Sequence, residues 1–446
     1  MSSYSYTFFR LIGTTVAALA VAGVSHAQSP VGESSASARC TGWTSQGGPE
    51  SDTTGIRNIN YPEASSTTYW GTPLLGTMGQ KVTIHGQFPF ARFTSLEVYT
   101  GGGNAGGVLI DHIADVNIVP NPGQNNPYVS GTANGFYTAY VVFGPKPAQP
   151  AQNTIYTGTN TSVTVAYRIY HSTDPNDPAA GATTPVLPLI TVKGKVLSNC
   201  AVRPFLPDPL STPWGRLASS DFIGSAPTAK QALPVTYPAV WTLTSPYGGG
   251  IYFPNGADGY MGTVLSREFL APNTKNNLYV VRYRSPTFPN TRAGEPVYLD
   301  RQVHFWSFCT DDPYTTNANR CIPDDQSVIG PNGFVTFVVS DPGSKPNAAA
   351  MQAFSATWIP WGALDLPTDV VYDRTQRAWG INTPVHYYNA LIIRQTDAAA
   401  TFTQSYQAVM QLPIDQQAAA MGDYWPVGGY CSTADFNSYG AACVGK

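Results

Sequence analysis

The sequence predicts a mainly β protein of two tandem, jelly-roll-like β-sandwich domains, with a few short helices at the joints and the C-terminus. Three observations lead there. The order of short motifs in residues 61–168 recurs in residues 253–394, which marks an internal duplication. Short runs rich in Val, Ile, Thr, Tyr and Phe alternate with Gly/Pro/Asn clusters, the pattern of strands separated by turns. The 42 glycines and 38 prolines punctuate the chain and interrupt any long helical period.

The repeat is carried by paired motifs in one order. Tyr61-Pro62-Glu63-Ala64 leading to Tyr69 is answered by Phe253-Pro254-Asn255-Gly256-Ala257 leading to Tyr260, and Phe88-Pro89 by Phe288-Pro289. Phe93-Thr94-Ser95 is answered by Phe305-Trp306-Ser307, Asn134-Gly135-Phe136 by Asn332-Gly333-Phe334, and Ala166-Tyr167-Arg168 by Ile392-Ile393-Arg394. Ser95 to Gly135 is a much longer interval than Ser307 to Gly333, so the first copy is read as carrying an insertion over Asp111–Asn134. Added loops on a rigid sheet often hold function.

At the N-terminus, Arg10 precedes an apolar run from Leu11 to Val24, and Ser25-His26-Ala27 stands before Gln28. These are the parts of a secretory signal peptide, and the run is short for a bilayer span of about 20 residues. Residues 1–27 are therefore expected to be cleaved, followed by a Ser-rich flexible segment at 28–39. A first sandwich is expected over 40–203, with strands at 81–85, 95–99, 136–143, 162–170 and 189–193. A Pro-rich connector at 204–240 holds one short helix over 212–226. The second sandwich, 241–410, has strands at 278–283, 303–308, 334–339 and 387–393 and a closing helix at 397–411. A tail over 411–446 carries a helix at 414–421.

Six cysteines, at 40, 200, 309, 321, 431 and 443, are an even number in a chain expected to enter an oxidising compartment, which favours disulfides over metal or redox chemistry. The preferred pairing joins Cys309 to Cys321 and Cys431 to Cys443 across short turn-rich loops, leaving Cys40 with Cys200 to tie together the ends of the first repeat. Charged residues make up only 11% of the chain, while 42% is apolar and 12% aromatic. That composition buries a sizeable core and is not that of a disordered chain. The 24 basic and 27 acidic residues contain no basic run, so nucleic acid is not an expected partner.

Phe305-Trp306-Ser307, Asn332-Gly333-Phe334-Val335-Thr336, Trp358-Ile359-Pro360-Trp361-Gly362 and Arg394 resemble the β-sandwich domain catalogued as DUF1214, which often accompanies a DUF1254 domain. Asn60-Tyr61-Pro62-Glu63, Phe88 to Phe93, Asp115 to Gly123 and Asn153-Thr154-Ile155-Tyr156 resemble a group of exported bacterial proteins. The resemblance implies fold and export and brings no catalytic residue with it.

No Gly-x-Ser-x-Gly nucleophile elbow occurs. Histidines 85, 112, 171, 304 and 386 lack metal-ligand spacing, and no metal or cofactor is expected; His85 and His304 are the pair that could meet across a sandwich. Asp174-Pro175-Asn176-Asp177, Asp311-Asp312 and Asp324-Asp325 offer oxygen ligands, but exposed turn residues explain them. Glycoside hydrolysis needs paired carboxyls, for which Glu63, Glu97, Glu268 and Glu295 are the noticeable acids. Glu63 stands out because Tyr61, Tyr69 and Trp70 flank it. Arg92, Arg168 and Arg394 lie within apolar strand patterns, where an arginine must clamp a ligand or pair internally. Arg168 and Arg394 are read as recurring at one place, a scaffold role, whereas Arg92 is answered by His304.

The candidate ligand-binding set is therefore Tyr61, Glu63, Tyr69, Trp70, Arg92, His304 and Trp306. The chain is expected to be a secreted or periplasmic bacterial protein that binds or builds, with neutral polysaccharide, an envelope protein or itself as partner. The competing expectation is a secreted polymer-degrading hydrolase or lyase with a carboxylate, arginine and aromatic cleft in the first domain.

Overall fold

In the computed structural model of the chain, the described residues are 42–47, 67–100, 108–130, 135–172, 187–197, 242–244, 258–266, 276–299, 301–311, 318–360, 386–395, 409, 412–444 and 446. The expected signal and flexible segment, the connector with its helix, Tyr61, Glu63, Glu268, Cys40, Cys200 and Asp174–Asp177 lie outside them, as does the helix at 397–411 apart from Val409.

The strands of the first repeat are β1 (Thr44–Gly47), β2 (Thr67–Leu75), β3 (Lys81–Gln87), β4 (Ala91–Thr100), β5 (Leu109–Ala114), β6 (Phe136–Val142), β7 (Thr154–Tyr156), β8 (Ser162–Ser172), β9 (Leu189–Val192) and β10 (Lys195–Val196). Those of the second are β11 (Thr242–Thr244), β12 (Asp258–Ser266), β13 (Leu278–Arg284), β14 (Val303–Asp311), β15 (Ala318–Pro323), β16 (Phe334–Ser340), β17 (Ala356–Pro360), β18 (His386–Gln395) and β19 (Val427–Cys431). In the first repeat a sheet of order β1-β2-β8-β4-β5 faces one of order β10-β9-β3-β6-β7. In the second, β11-β12-β18-β14-β15 faces β17-β16-β13-β19. Adding ten to each strand number of the first repeat yields the second, and among the described residues only β10 has no counterpart. Even the unusual parallel pair β6–β7 recurs as β16–β17.

Period-two patterning explains why these segments are strands. In β3, Val82 and Ile84 are buried while His85 is exposed, so one face meets the core. Val82, Ile84 and Val141 from one sheet pack with Leu96, Val98, Val165 and Tyr167 from the other. The second core is more aromatic: Phe308 stacks on Phe337 at 4.3 Å between centroids, and Tyr283 meets Trp306 edge-on at 5.8 Å. Each fully buried large apolar side chain contributes roughly 1.5–3 kcal/mol. In contrast to β3, β4 is buried along nearly its whole length on both faces, which means that something packs on the outside of its sheet.

The described residues include four short helices: α1 (Pro127–Ser130), α2 (Ala348–Ala353), α3 (Ile414–Met421) and α4 (Thr433–Tyr439). The Asn347 and Ser432 side chains accept from the amides of Ala350 at 2.8 Å and Asp435 at 3.0 Å, capping α2 and α4. Residues 411–446 are more than a tail: they supply β19, which pairs with β13 along Leu278–Arg282 and fills the place that β9 holds in the first sandwich. Cys431–Cys443 ties that strand to the turn after α4, and Phe436 of α4 is buried beside it.

Register corrects two sequence readings. Ser95 lies opposite Arg168, and Ser307 opposite Ile392, so Arg168 corresponds to Ile392, not to Arg394, which falls two residues further along. A shared scaffold role for the two arginines therefore fails. The insertion is also smaller than Asp111–Asn134, because β5 and its following turn at Asp115–Asn117 match β15 and the turn at Asp324–Gln326. Pro120 bridges Tyr137 and Ile329 bridges Val335, so the added chain lies between Pro120 and Tyr137 and includes α1.

Cys309 and Cys321 face each other in register on β14 and β15 and are bonded, with Cα atoms 4.1 Å apart. Replacing both with Ala is expected to lower unfolding free energy by about 2–4 kcal/mol, measured by urea denaturation of the two proteins side by side. A loss under about 0.5 kcal/mol would show that the bridge constrains little.

Candidate functional site

The outer face of β4 meets the second repeat, and the polar residues there come in matched pairs. Asp115 and Asp324 each open the short turn that follows β5 and β15. Each carboxylate accepts a bond from the adjacent amide, Val116 N at 2.6 Å or Asp325 N at 2.7 Å. Each also accepts one from the neighbouring strand, Thr94 N at 2.9 Å or Trp306 N at 3.0 Å. Both are fully buried.

The remaining capacity of each carboxylate faces the other repeat. Arg92, 0% exposed, donates Nη1 and Nη2 to Asp324 at 3.1 and 2.8 Å and Nε to the carbonyl oxygen of His304 at 2.8 Å. Its guanidinium also lies 5.2 Å from the Phe288 ring. His304, the counterpart of Arg92, places Nδ1 3.6 Å from Asp115 Oδ1 and its ring beside Tyr128. Between the pairs sits an aromatic cluster of Phe93, Tyr170 and Phe305, with His171 stacked on Phe305 at 5.4 Å. His171 Nε2 reaches Asp325 Oδ2 at 2.7 Å, and Arg292 Nε donates to the same oxygen at 3.1 Å.

A bidentate arginine fork on a carboxylate that already holds two amide donors is the geometry in which a buried ion pair offsets its desolvation. At Asp324 burial nevertheless outweighs the pull of Arg92, His171 and the Trp306 amide and raises the carboxyl above its usual range. For Asp325, burial also pushes up, but His171 and Arg292 outweigh it and hold the carboxyl below its usual range.

A second buried cluster lies further along β4. Glu97 accepts from Ser95 Oγ at 2.8 Å and from the Tyr99 hydroxyl, and Arg168 Nε stands 3.4 Å from Glu97 Oε2. Arg168 also donates to the hydroxyls of Tyr99 at 2.6 Å and Tyr170 at 3.2 Å. Burial, helped by Glu97 and opposed by Arg168, raises the Tyr99 phenol well above its ordinary value. Burial lowers the pKa of His112, which sits across from Glu97 in register. Glu97 and His112 occupy the positions that Cys309 and Cys321 hold in the second repeat. One copy joins these strands by a disulfide where the other buries a carboxylate, a guanidinium and hydroxyls.

Of the sequence candidates, the structure brings Arg92 and His304 together, with the Trp306 amide on the same Asp324 carboxylate, while Tyr61 and Glu63 lie outside the described residues. Trp306 is buried in the second core. Trp70 is half-buried against the first core, on the strand β2 that also carries Tyr69. His85 is exposed on β3 while His304 is buried, so the two do not meet. Glu295 accepts from Asn290 N and pairs with Arg301, and the Asn290 amide is the main cause that lowers its pKa. Among the described residues no group of three or more His, Cys, Asp or Glu could hold a metal ion.

Asp324-Asp325 requires a correction: an exposed turn is not where it lies, for Asp324 is buried and Asp325 is held by His171 across the interface and by Arg292 of its own repeat. Asp115 and His171 were missed as well. The recurrence of an Asp at the start of the same turn in both copies was the available signal. No local pattern revealed that the turns face each other.

No protein-family model matches the chain, and no curated protein matches it. Among solved structures, an uncharacterized protein from Burkholderia cenocepacia aligns with TM-score 0.45 at 11% identity, over 89% of this chain and 83% of that one. A protein from Vibrio parahaemolyticus aligns with TM-score 0.36 at 10% identity, over 82% of this chain and 89% of that one. A B domain of a biofilm associated protein aligns with TM-score 0.19 at 9% identity, over 80% and 73%.

Arg92→Met leaves a buried carboxylate unpaired and is expected to cost about 3–5 kcal/mol in urea denaturation, part of which Arg92→Met with Asp324→Asn should recover. Equal losses in the single and double variants would remove the pair from the account. Asp325 gives a pH test. Its folded pKa is depressed, so its contribution is present above the unfolded value of about 3.9 and is lost as pH falls through the lower folded value. The stability gap between wild type and Asp325→Asn should accordingly be constant from neutral pH down to about pH 5 and close below about pH 4. A gap that widens on acidification contradicts the assignment.

Proposed function

We propose that the protein is an exported bacterial binding or structural component of the envelope or extracellular space, whose partner is a neutral surface such as a polysaccharide. The observation that carries this reading is the fate of Arg92, the residue best suited to clamp an anionic ligand: its fork is spent on Asp324 and its Nε on His304. Glu97 and Arg168 likewise answer each other inside the fold. These groups stabilise a framework and leave recognition to weakly charged surface. The two disulfides support an oxidising location, and no helix among the described residues is long and apolar enough to cross a membrane.

Exposed apolar side chains gather where the first copy carries its added chain. Phe90 is 57% exposed, Val129 of α1 60% and Phe136 51%. They are brought together by the chain around them: the Tyr128 hydroxyl donates to Pro89 O at 3.4 Å, Tyr128 packs on Phe88, and Phe88 N donates to Gly135 O at 3.0 Å. Exposed apolar groups concentrated at one place mark interaction surfaces more often than single ones do, and a ring face there can stack on a sugar.

A glycan array with product analysis of every retained sugar tests the reading. Retention without shortened products is expected, and Val129→Ser with Phe136→Ser should weaken it about tenfold without moving the melting temperature, since both side chains are exposed. Release of shortened product, or retention indifferent to the double variant, contradicts the reading.

A further inference from the structure

The cross-repeat contacts obey a rule of exchange. Position 92 of the first repeat reaches the acceptor turn of the second at Asp324, and the matching position 304 of the second reaches the acceptor turn of the first at Asp115. The equivalence of these positions rests on register, since Ser95 pairs with Ala114 just before Asp115, as Ser307 pairs with Pro323 just before Asp324. Phe93 and Phe305, also equivalent, share one buried cluster. Residue i touching j while the counterpart of j touches the counterpart of i is the signature of a two-fold, isologous contact.

We infer that this contact is an isologous dimer interface folded into one chain: each sandwich presents the same self-complementary face, and the occupant that face fits is a second copy of the same unit. A basic position, an aromatic and a carboxylate turn recur on both sides; one basic position holds arginine and the other histidine, and Asp325, which His171 reaches across the contact, is answered by Val116. Asp115 is prepared for the stronger partner. It accepts the same two backbone amides as Asp324 and is as deeply buried, yet it meets His304 only at 3.6 Å, beyond hydrogen-bond length. The inference concerns how the two repeats recognise each other and stands apart from any ligand.

If the face is self-complementary, the two basic positions are interchangeable. In the full-length chain, Arg92→His alone should lower the melting temperature by about 5 °C or more. Combining it with His304→Arg moves the fork from Asp324 to Asp115 and should restore the melting temperature to within about 2 °C of wild type. A transposed chain that melts as low as Arg92→His overturns the inference. Should Arg92→His fail to fold, His304→Arg in the otherwise native chain decides the matter: an unchanged or higher melting temperature supports the two-fold relation, and a fall of about 3 °C or more defeats it.

Discussion

Arg92 and Asp324 form an ion pair with both side chains fully buried, one from each repeat. Taking two such charges out of water costs several kcal/mol per ion, and the cost is offset only if every donor and acceptor is well placed. That requirement fixes more than two side chains. The Asp324 turn must sit against β14 so that the Trp306 amide points at the carboxylate, and β14 must lie close enough to β4 for Arg92 Nε to reach His304 O. The Cys309–Cys321 bridge joins β14 to β15 just before that turn, limiting how far the acceptor moves from its strand. Stabilising the core of one sandwich therefore also holds the partner for the other.

The duplication gives the arrangement its economy and its asymmetry. The two acceptor turns are nearly superposable in their hydrogen bonding, whereas the groups that reach them differ. The same contrast appears at Glu97 with His112 against Cys309 with Cys321. In each case the backbone pairing is retained and the chemistry of the cross-strand contact has changed. A buried carboxylate bonded to two hydroxyls and facing a guanidinium is harder to maintain than a disulfide, because losing any one partner leaves a polar group stranded.

Much of the fold was legible because strand formation here follows local rules. All nine expected strands are present, and the motif order that suggested duplication reappears as two sandwiches of the same topology. Among the strands passed over, two have sequences that weaken the period-two signal: β2 contains Gly71 and Pro73, and β19 reads Val-Gly-Gly-Tyr-Cys. The site was legible only in part. Filtering for positions where the copies disagree pointed to Arg92 and His304, which do come together. Their partners were not legible, since Asp115 and Asp324 look like ordinary turn acids until the two repeats are docked. The Arg168 and Arg394 alignment failed for a related reason: short motifs tolerate a two-residue slip that preserves strand face, and only hydrogen-bond register excludes it.

If the buried Arg92–Asp324 pair couples the two sandwiches into one cooperative unit, native-state hydrogen exchange will show it. The amides of Thr94 and Trp306 donate to the two acceptor carboxylates, one in each repeat. Both should exchange only through global opening, with the same free energy and the same dependence on denaturant. Exchange of the Trp306 amide at a markedly lower free energy than that of Thr94, with a smaller denaturant slope, would show that the second sandwich opens alone and would contradict it.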